Sequence, residues 1–175
     1  MSLREVLIED EEIALLSYTH DDDWNMFLCW QDLDTQIGYN TVFSESFEEF
    51  RQEDISRFPF YGSLLVKKNN QIVGAIRLSP PEFENDLAIW IFKDFRNKSF
   101  GFRAFVLGLH YCFQRLTLEK VIAGTYEGNI ASKRILEKAG MKRYPEGDLI
   151  ETDPFHDKPI TQLSFMITKA QFTKR

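Results

Sequence analysis

The apolar run Leu87-Ala88-Ile89-Trp90-Ile91-Phe92 has the length and composition of a buried strand. It passes through Phe95-Arg96-Asn97-Lys98-Ser99-Phe100-Gly101-Phe102 into a segment where Phe102, Phe105, Val106, Leu109, Cys112, Phe113 and Leu116 recur at helical spacing. A strand, a short basic turn with a glycine and then a helix commit the chain to a layered sheet-and-helix fold. The arrangement also aims the first N–H groups of the helix at one spot, where an anion such as a phosphate can sit. Lys93, Arg96, Lys98 and Arg103 set four positive charges against the single acid Asp94, in a chain whose net charge is −6. On residue chemistry alone the turn is either an anion seat or a solvated basic connection. Neither G-x-x-x-x-G-K-[ST] nor G-x-G-x-x-G is present, so the usual nucleotide loops are excluded.

The rest of the chain reads in order around this turn. Residues 1–12 form a peripheral strand or a tail, and residues 13–18 a first strand. Thr19 and Asp21 to Asp23 supply a cap and first-turn acids for a helix carrying Trp24, Phe27 and Leu28; these acids read as a solvated cap, without calcium-loop spacing. Residues 35–44 read as a loop. Ser46 and Glu49 form a capping box opening a second helix, which runs to about Arg57 and is ended by Pro59. Residues 62–68 and 71–78 are strands joined through Asn69-Asn70, a hairpin signal. Residues 86–92 and 120–125 are further strands. A helix over 130–139 is stopped by Gly140, and strands over 142–150 and 161–168 flank a polar loop at 153–159. This order predicts a mixed α/β or α+β sheet in one domain spanning 1–175.

Several functions are excluded by what is missing. Cys29 and Cys112 sit in apolar helical patterns and read as buried thiols, with neither disulfide nor zinc spacing. His20, His110 and His156 have no ligand spacing, so no metal is expected. The acidic balance disfavours nucleic acid and anionic membranes, and no apolar run approaches the roughly 18 residues that span a bilayer. Residues 1–12 lack a signal-peptide core, which points to the cytoplasm. Asn129 is a natural N-cap or a ligand contact; Ser132, one turn on, is a second cap or a hydrogen-bond donor.

Together these pieces resemble the GNAT superfamily of acyl-CoA-dependent N-acetyltransferases, most closely the branch with the ribosomal-protein alanine acetyltransferases. The family's phosphate turn, Arg/Gln-x-x-Gly-x-Gly/Ala, is matched by Arg96-Asn97-Lys98-Ser99-Phe100-Gly101. Ser99 replaces the first glycine, which is tolerable where that position needs no positive φ. The second signature is matched by Asn129, Ser132, Lys138 and Gly140, with Met141 in place of Phe. The resemblance covers about 13–172. It implies a central twisted, mostly antiparallel sheet of six to seven strands flanked by about four helices.

The resemblance further implies acetyl-CoA as acyl donor. Its pyrophosphate would rest on the turn from Arg96 through Phe102, and its pantetheine arm along Ile89, Trp90 and Ile91, where such enzymes splay the sheet at a bulge. Asn129 and Ser132 would line the same site, and the N–H around Ile91 would steady the oxyanion. Asp86 would be the base, with Glu84 as competitor. The Tyr that relatives place seven residues after the Asn is Leu136 here, which leaves Ser132 or solvent as the acid. The acceptor would be an amine, of a peptide or protein N-terminus or of a small molecule. Its pocket would be formed by the first two helices and the 153–159 loop, with Asp21 to Asp23, Glu48, Glu49, Glu53 and Asp54 able to favour a cation. The family also allows a homodimer. The alternative is a non-catalytic CoA-binding or regulatory module with the same fold.

Overall fold

The computed structural model describes residues 4–174; residues 1–3 and 175, part of the expected N-terminal segment and domain span, lie outside it. In chain order the first half comprises β1 (Val6–Glu9), β2 (Ile13–Ser17), α1 (Asp23–Gln31), α2 (Leu33–Gly38), α3 (Phe47–Phe50), β3 (Phe60–Val66), β4 (Gln71–Leu78) and β5 (Leu87–Ile91). The second half comprises α4 (Phe100–Gln114), β6 (Lys120–Tyr126), α5 (Ile130–Lys138), β7 (Lys142–Arg143), β8 (Leu149–Asp153), β9 (Lys158–Thr168) and α6 (Lys169–Phe172). Strands β1 to β5 form one antiparallel sheet in sequence order. In the second sheet β9 pairs with β6, β7 and β8. The mixed α+β architecture is the expected one, with nine strands among the described residues in place of six or seven.

The two sheets touch where Asp86 bridges Ile122 in parallel and the Ile122 N–H donates to the Asn85 carbonyl at 2.9 Å. Beyond that point β5 and β6 diverge. The splay needs no bulge in β5, whose register with β4 is regular from Gly74↔Ile91 to Leu78↔Leu87. The expected bulge is therefore replaced by a parting of two sheets.

Period-two alternation then sorts side chains onto two faces. Leu87, Ile89 and Ile91 of β5 and Val121 and Ala123 of β6 join the cluster packed on α4, with Phe105, Leu109 and Phe113 at its centre. Trp90 and Ala88 face the opposite way, into an aromatic cluster with Tyr18, Tyr61, Trp30 and Tyr39. There the Arg77 guanidinium lies 4.1 Å from the Phe58 ring centroid and pairs with Glu53 at 3.1 Å.

Local chemistry explains where the structure departs from the expected elements. Residues 33–38 are helical because Asp32 caps the Thr35 N–H, so the expected loop over 35–44 begins inside a helix. The Ser46–Glu49 capping box is present, but its helix ends at Phe50; Asp54 then caps a separate 3-10 turn, Ile55–Arg57. The expected strand over 142–150 is split by the turn Pro145–Gly147 into β7 and β8. The 153–159 loop contracts to a tight hairpin, in which the Asp153 carboxylate accepts the Phe155 and His156 N–H groups at 2.8 and 3.2 Å. Thr19 is the expected N-cap and Asp21 is exposed in the first turn, but Asp22 and Asp23 are not solvated, being 5% and 3% exposed. Asp22 binds Arg4 and the Ser63 hydroxyl, and Asp23 accepts from Tyr18.

Candidate active site

The parting of β5 and β6 opens a cavity of about 730 Å³, walled by both strands, the starts of α4 and α5, and the end of α2. Strand β5 is the edge of its sheet, so half of its backbone groups face this space. The carbonyl of Ile89 accepts from the Tyr39 hydroxyl and that of Ile91 from Arg96 Nε at 3.1 Å, which shows both pointing away from β4. In an antiparallel pair the N–H and C=O of one residue point the same way, so the Ile89 and Ile91 N–H groups also face the cleft. Trp90 offers the cavity its side chain instead.

At the mouth lies the basic turn. Asn97 and Ser99 both take left-handed conformations, with φ of 60° and 63°. The condition under which serine replaces glycine freely therefore does not hold: Ser99 sits where an L-residue costs about 1–2 kcal/mol. Two left-handed residues one apart turn the chain sharply, so that the amides of Phe100, Gly101 and Phe102 open α4 toward the cavity. Gly101 packs the helix start against α5; a Cβ there would meet Ile135 Cδ1 at 3.0 Å.

The turn's charge is spent within the protein. Lys93 pairs with Asp32 at 3.0 Å and Arg103 with Asp10 at 2.9 Å. Arg96 binds Asp32 at 2.7 Å and the Thr35 hydroxyl at 2.8 Å, which ties α2 to the turn. Lys98 donates to the Asp94 carbonyl at 2.9 Å. The local basic excess seen in the sequence is thus largely neutralised, and Arg134 and Lys138 of α5 bring further positive charge to the cavity wall.

Asp86 stands at the apex, beside the junction of the sheets, and lines the cavity. Burial pushes its carboxyl up to about 6, against the opposing pull of a hydrogen bond from the Gly124 backbone and the charge of Arg77. Glu84 is exposed and bound to Lys120 at 3.1 Å, outside the cavity wall. Asn129 caps α5 by accepting the Ser132 N–H at 3.1 Å, while its amide reaches the Gly38 carbonyl at 3.5 Å. Ser132 and Leu136 both line the cavity, so an apolar side chain stands at the position where the resemblance would have put a Tyr. Among the described residues, the Thr125 hydroxyl and the Trp90 indole N–H, both in this wall, are buried without a hydrogen-bond partner.

The structure brings together Asp86, Ile89 to Ile91, Arg96, Asn97, Ser99 to Phe102, Asn129 and Ser132; Lys98 flanks this set without lining the cavity. It adds three residues that the sequence reading missed. Tyr39 stacks on Trp90 with ring centroids 5.1 Å apart, and Tyr126 ends β6 with its hydroxyl on Glu151 Oε2 at 2.7 Å. The alternation of β6 was the available signal for Tyr126; Tyr39 and Glu151 had none. The 153–159 turn is not in the wall. Of the acids weighed for a cation, Glu49 and Asp54 serve as caps and Glu53 pairs with Arg77. Among the described residues there is no cluster of three His, Cys, Asp or Glu able to hold a metal, and no helix long and apolar enough to cross a membrane.

Comparison with known proteins gives the family. The Acetyltransferase (GNAT) domain matches residues 1–142. No curated protein matches the sequence significantly. Similar solved structures include a GNAT-family acetyltransferase from Bacillus anthracis, 21% identical, with a TM-score of 0.77 over 93% of this chain and 98% of the other. A spermidine N-acetyltransferase from Vibrio cholerae, solved with CoA and spermine, is 15% identical, with a TM-score of 0.81 over 94% and 99%. An acetyltransferase from Agrobacterium tumefaciens is 15% identical, with a TM-score of 0.75 over 93% and 94%.

Proposed function

We propose, for a chain that belongs to the GNAT acetyltransferase family, transfer of the acetyl group of acetyl-CoA to a primary amine held in the cleft. The observation that carries this reading is Asp86: a carboxyl near 6 at the apex of the cleft, beside an open strand edge and a helix start. The wall fits a donor of that shape. The α4 amides suit a diphosphate, the Ile89 and Ile91 N–H groups suit an amide-bearing arm, and the Thr125 hydroxyl lacks a partner. Acetyl-CoA supplies an activated acyl carbon as a thioester.

The chain's own residues do the rest. Asp86 is ionised at pH 7 and takes a proton from the amine, directly or through one water, a role worth about 10²–10⁴-fold in rate. The Ile91 N–H steadies negative charge on the acyl oxygen. Ser132, or solvent, returns a proton to the departing sulfur. Holding both reactants in one cleft contributes about 7–11 kcal/mol relative to free encounter. The acceptor is a peptide or protein N-terminus, as in the ribosomal-protein branch, or a small molecule such as a polyamine, as the spermine-bound relative suggests.

Two measurements test this. Acetyl-CoA at 100 times its Kd should stabilise the fold by about 2.7 kcal/mol, seen as a rise in Tm. Thiol release should depend on an amine from a panel of alanine-initiated peptides, polyamines and aminoglycosides. No rise in Tm overturns the donor site. A rise without turnover over the panel leaves a non-catalytic CoA-binding module.

A further inference from the structure

At Gly124 of β6 another side chain occupies the space that a Cβ would fill. A Cβ there would stand 2.8 Å from Gln162 Cδ, 3.0 Å from its Nε2 and 3.1 Å from its Oε1. Three nearly equal distances mean that the Gln162 amide lies flat on the Gly124 backbone, a close approach that only glycine allows. Gln162 reaches this place from β9, where it stands opposite Tyr126 in the register of the second sheet. The amide is anchored in turn. Its Nε2 donates to the Tyr126 hydroxyl oxygen at 3.4 Å, and that hydroxyl donates to Glu151 Oε2 at 2.7 Å. Asn40 Nδ2 donates to the same Glu151 oxygen at 3.2 Å and to the Thr152 carbonyl at 3.1 Å. Residues from β6, β8, β9 and the chain after α2 thus combine to fix one amide.

Gly124 is also the residue whose N–H holds the Asp86 carboxylate. Val121 and Ala123 of β6 face α4, as do Leu87, Ile89 and Ile91 of β5, which leaves Asp86, Gly124 and Tyr126 on the opposite side. Gln162 therefore covers the backbone that Asp86 binds, on the same side of the sheets, and it lines the same cavity. The charged and titratable groups around that carboxylate come from other directions. Arg77 of β4 lends its charge and is itself paired with Glu53. Tyr39 lies within reach of the Asp86 charge after α2, and Tyr126 ends β6 with Glu151 of β8 behind it. Glu84 and Lys120 pair with each other beside the junction, and α4 packs on the far face with Phe105 and Leu109. We propose that Gln162 is a positioning residue for Asp86: laid over Gly124, it keeps water off the Gly124–Asp86 hydrogen bond and holds the carboxylate in place for the incoming amine. A carboxylate kept from water ionises at higher pH and is the stronger base once ionised. Gln162 does this without touching the reacting atoms. What Asp86 does with its charge rests on the acetyltransferase reading; how Gln162 holds it does not.

The experiment follows the Asp86 carboxyl directly, through a pH titration of protein labelled with ¹³C at aspartate Cγ. The Asp86 resonance is assigned by its loss in Asp86→Asn, and in the wild type its midpoint should lie near 6. Gln162→Ala removes the cover and should lower that midpoint by about one pH unit, toward the ordinary carboxylate range. Gln162→Met keeps the length of the side chain without its hydrogen bonds, and should bring the midpoint back to the wild-type value or above. The kinetics should follow the titration. In Gln162→Ala the acid limb of kcat/KM for the best amine of the panel should move to lower pH by the same interval, while the plateau drops severalfold. A residue that only supported the fold would lower the plateau and leave the limb in place. An unmoved midpoint in a folded Gln162→Ala, or Gln162→Met shifted as far down as Gln162→Ala, overturns the proposal. A midpoint that moves as expected in a protein that releases no thiol with any amine would instead overturn the acetyltransferase reading and leave the role of Gln162 standing.

Discussion

The wall of the cleft toward α4 and α5 is made mostly of backbone: the open edge of β5, the left-handed turn at Asn97 and Ser99, and the first amides of α4. The wall away from α4 is made of side chains drawn from distant segments: Tyr39, Asp86, Trp90 and Tyr126, with Glu151 behind. Backbone recognition suits a ligand that is constant, since it reads amides and phosphates whatever the side chains. Side-chain recognition suits a ligand that differs from one relative to another. The difference teaches which wall evolution can rewrite: the side-chain wall can change without disturbing the turn.

The largest expected effect falls on the side-chain wall. Asp86→Asn should cut amine-dependent turnover by about 10²–10⁴-fold while leaving acetyl-CoA binding intact. It should also stabilise the protein at pH 8. The Asp86 carboxyl is raised in the fold, so its charge costs stability that is lost as pH rises through about 6 and is fully regained below the unfolded value. The stability gain of the variant, on the order of 1–3 kcal/mol, should therefore vanish near pH 4. A variant with weakened donor binding would break the division between the walls.

On the backbone wall, Gly101→Val should do the reverse. Its side chain would push into Ile135 and toward Ile91, costing about 1–3 kcal/mol of stability and weakening acetyl-CoA binding about tenfold or more. Isothermal titration and thermal melts would measure both. Intact donor affinity in the folded variant would place the diphosphate elsewhere.

The backbone wall was also the legible one. A turn and its helix lie in one continuous stretch, so Arg96 to Phe102 and Asn129 to Gly140 could be matched to a family pattern from the sequence, although residue chemistry alone left both open. Chain order carries such motifs because their geometry is local. Tyr39, Asn40, Glu151 and the role of Arg96 depend on contacts across 50 residues or more, and no periodicity encodes a meeting at that range. For the same reason the charge of the turn was misread. Its partners Asp10 and Asp32 come from the far N-terminal segment, so three of the four cations, Lys93, Arg96 and Arg103, are ion-paired in space. Ser99 shows a further limit: the substitution was visible, but the left-handed φ that makes it costly was not.

The smallest effect sharpens the comparison at that residue. Ser99→Gly should raise stability by about 0.5–1 kcal/mol, the left-handed penalty less the added entropy of glycine in the unfolded chain. Donor affinity should be unchanged or slightly higher, since the turn keeps its shape. A loss of stability on melting would mean that the Ser99 side chain supports the turn.

The most direct test of the central claim is the pH dependence of kcat/KM for the best amine of the panel, measured in the wild type and in Asp86→Asn. With Arg77 and Tyr39 as the charged and titratable groups nearest that carboxyl, the wild type should show an acid limb with a midpoint near 6, superimposed on the ionisation of the amine itself. The variant should lose that limb and keep the amine's. An acid limb that survives in Asp86→Asn, or a wild type that shows none, would contradict the assignment of Asp86 as the base at the apex of the cleft.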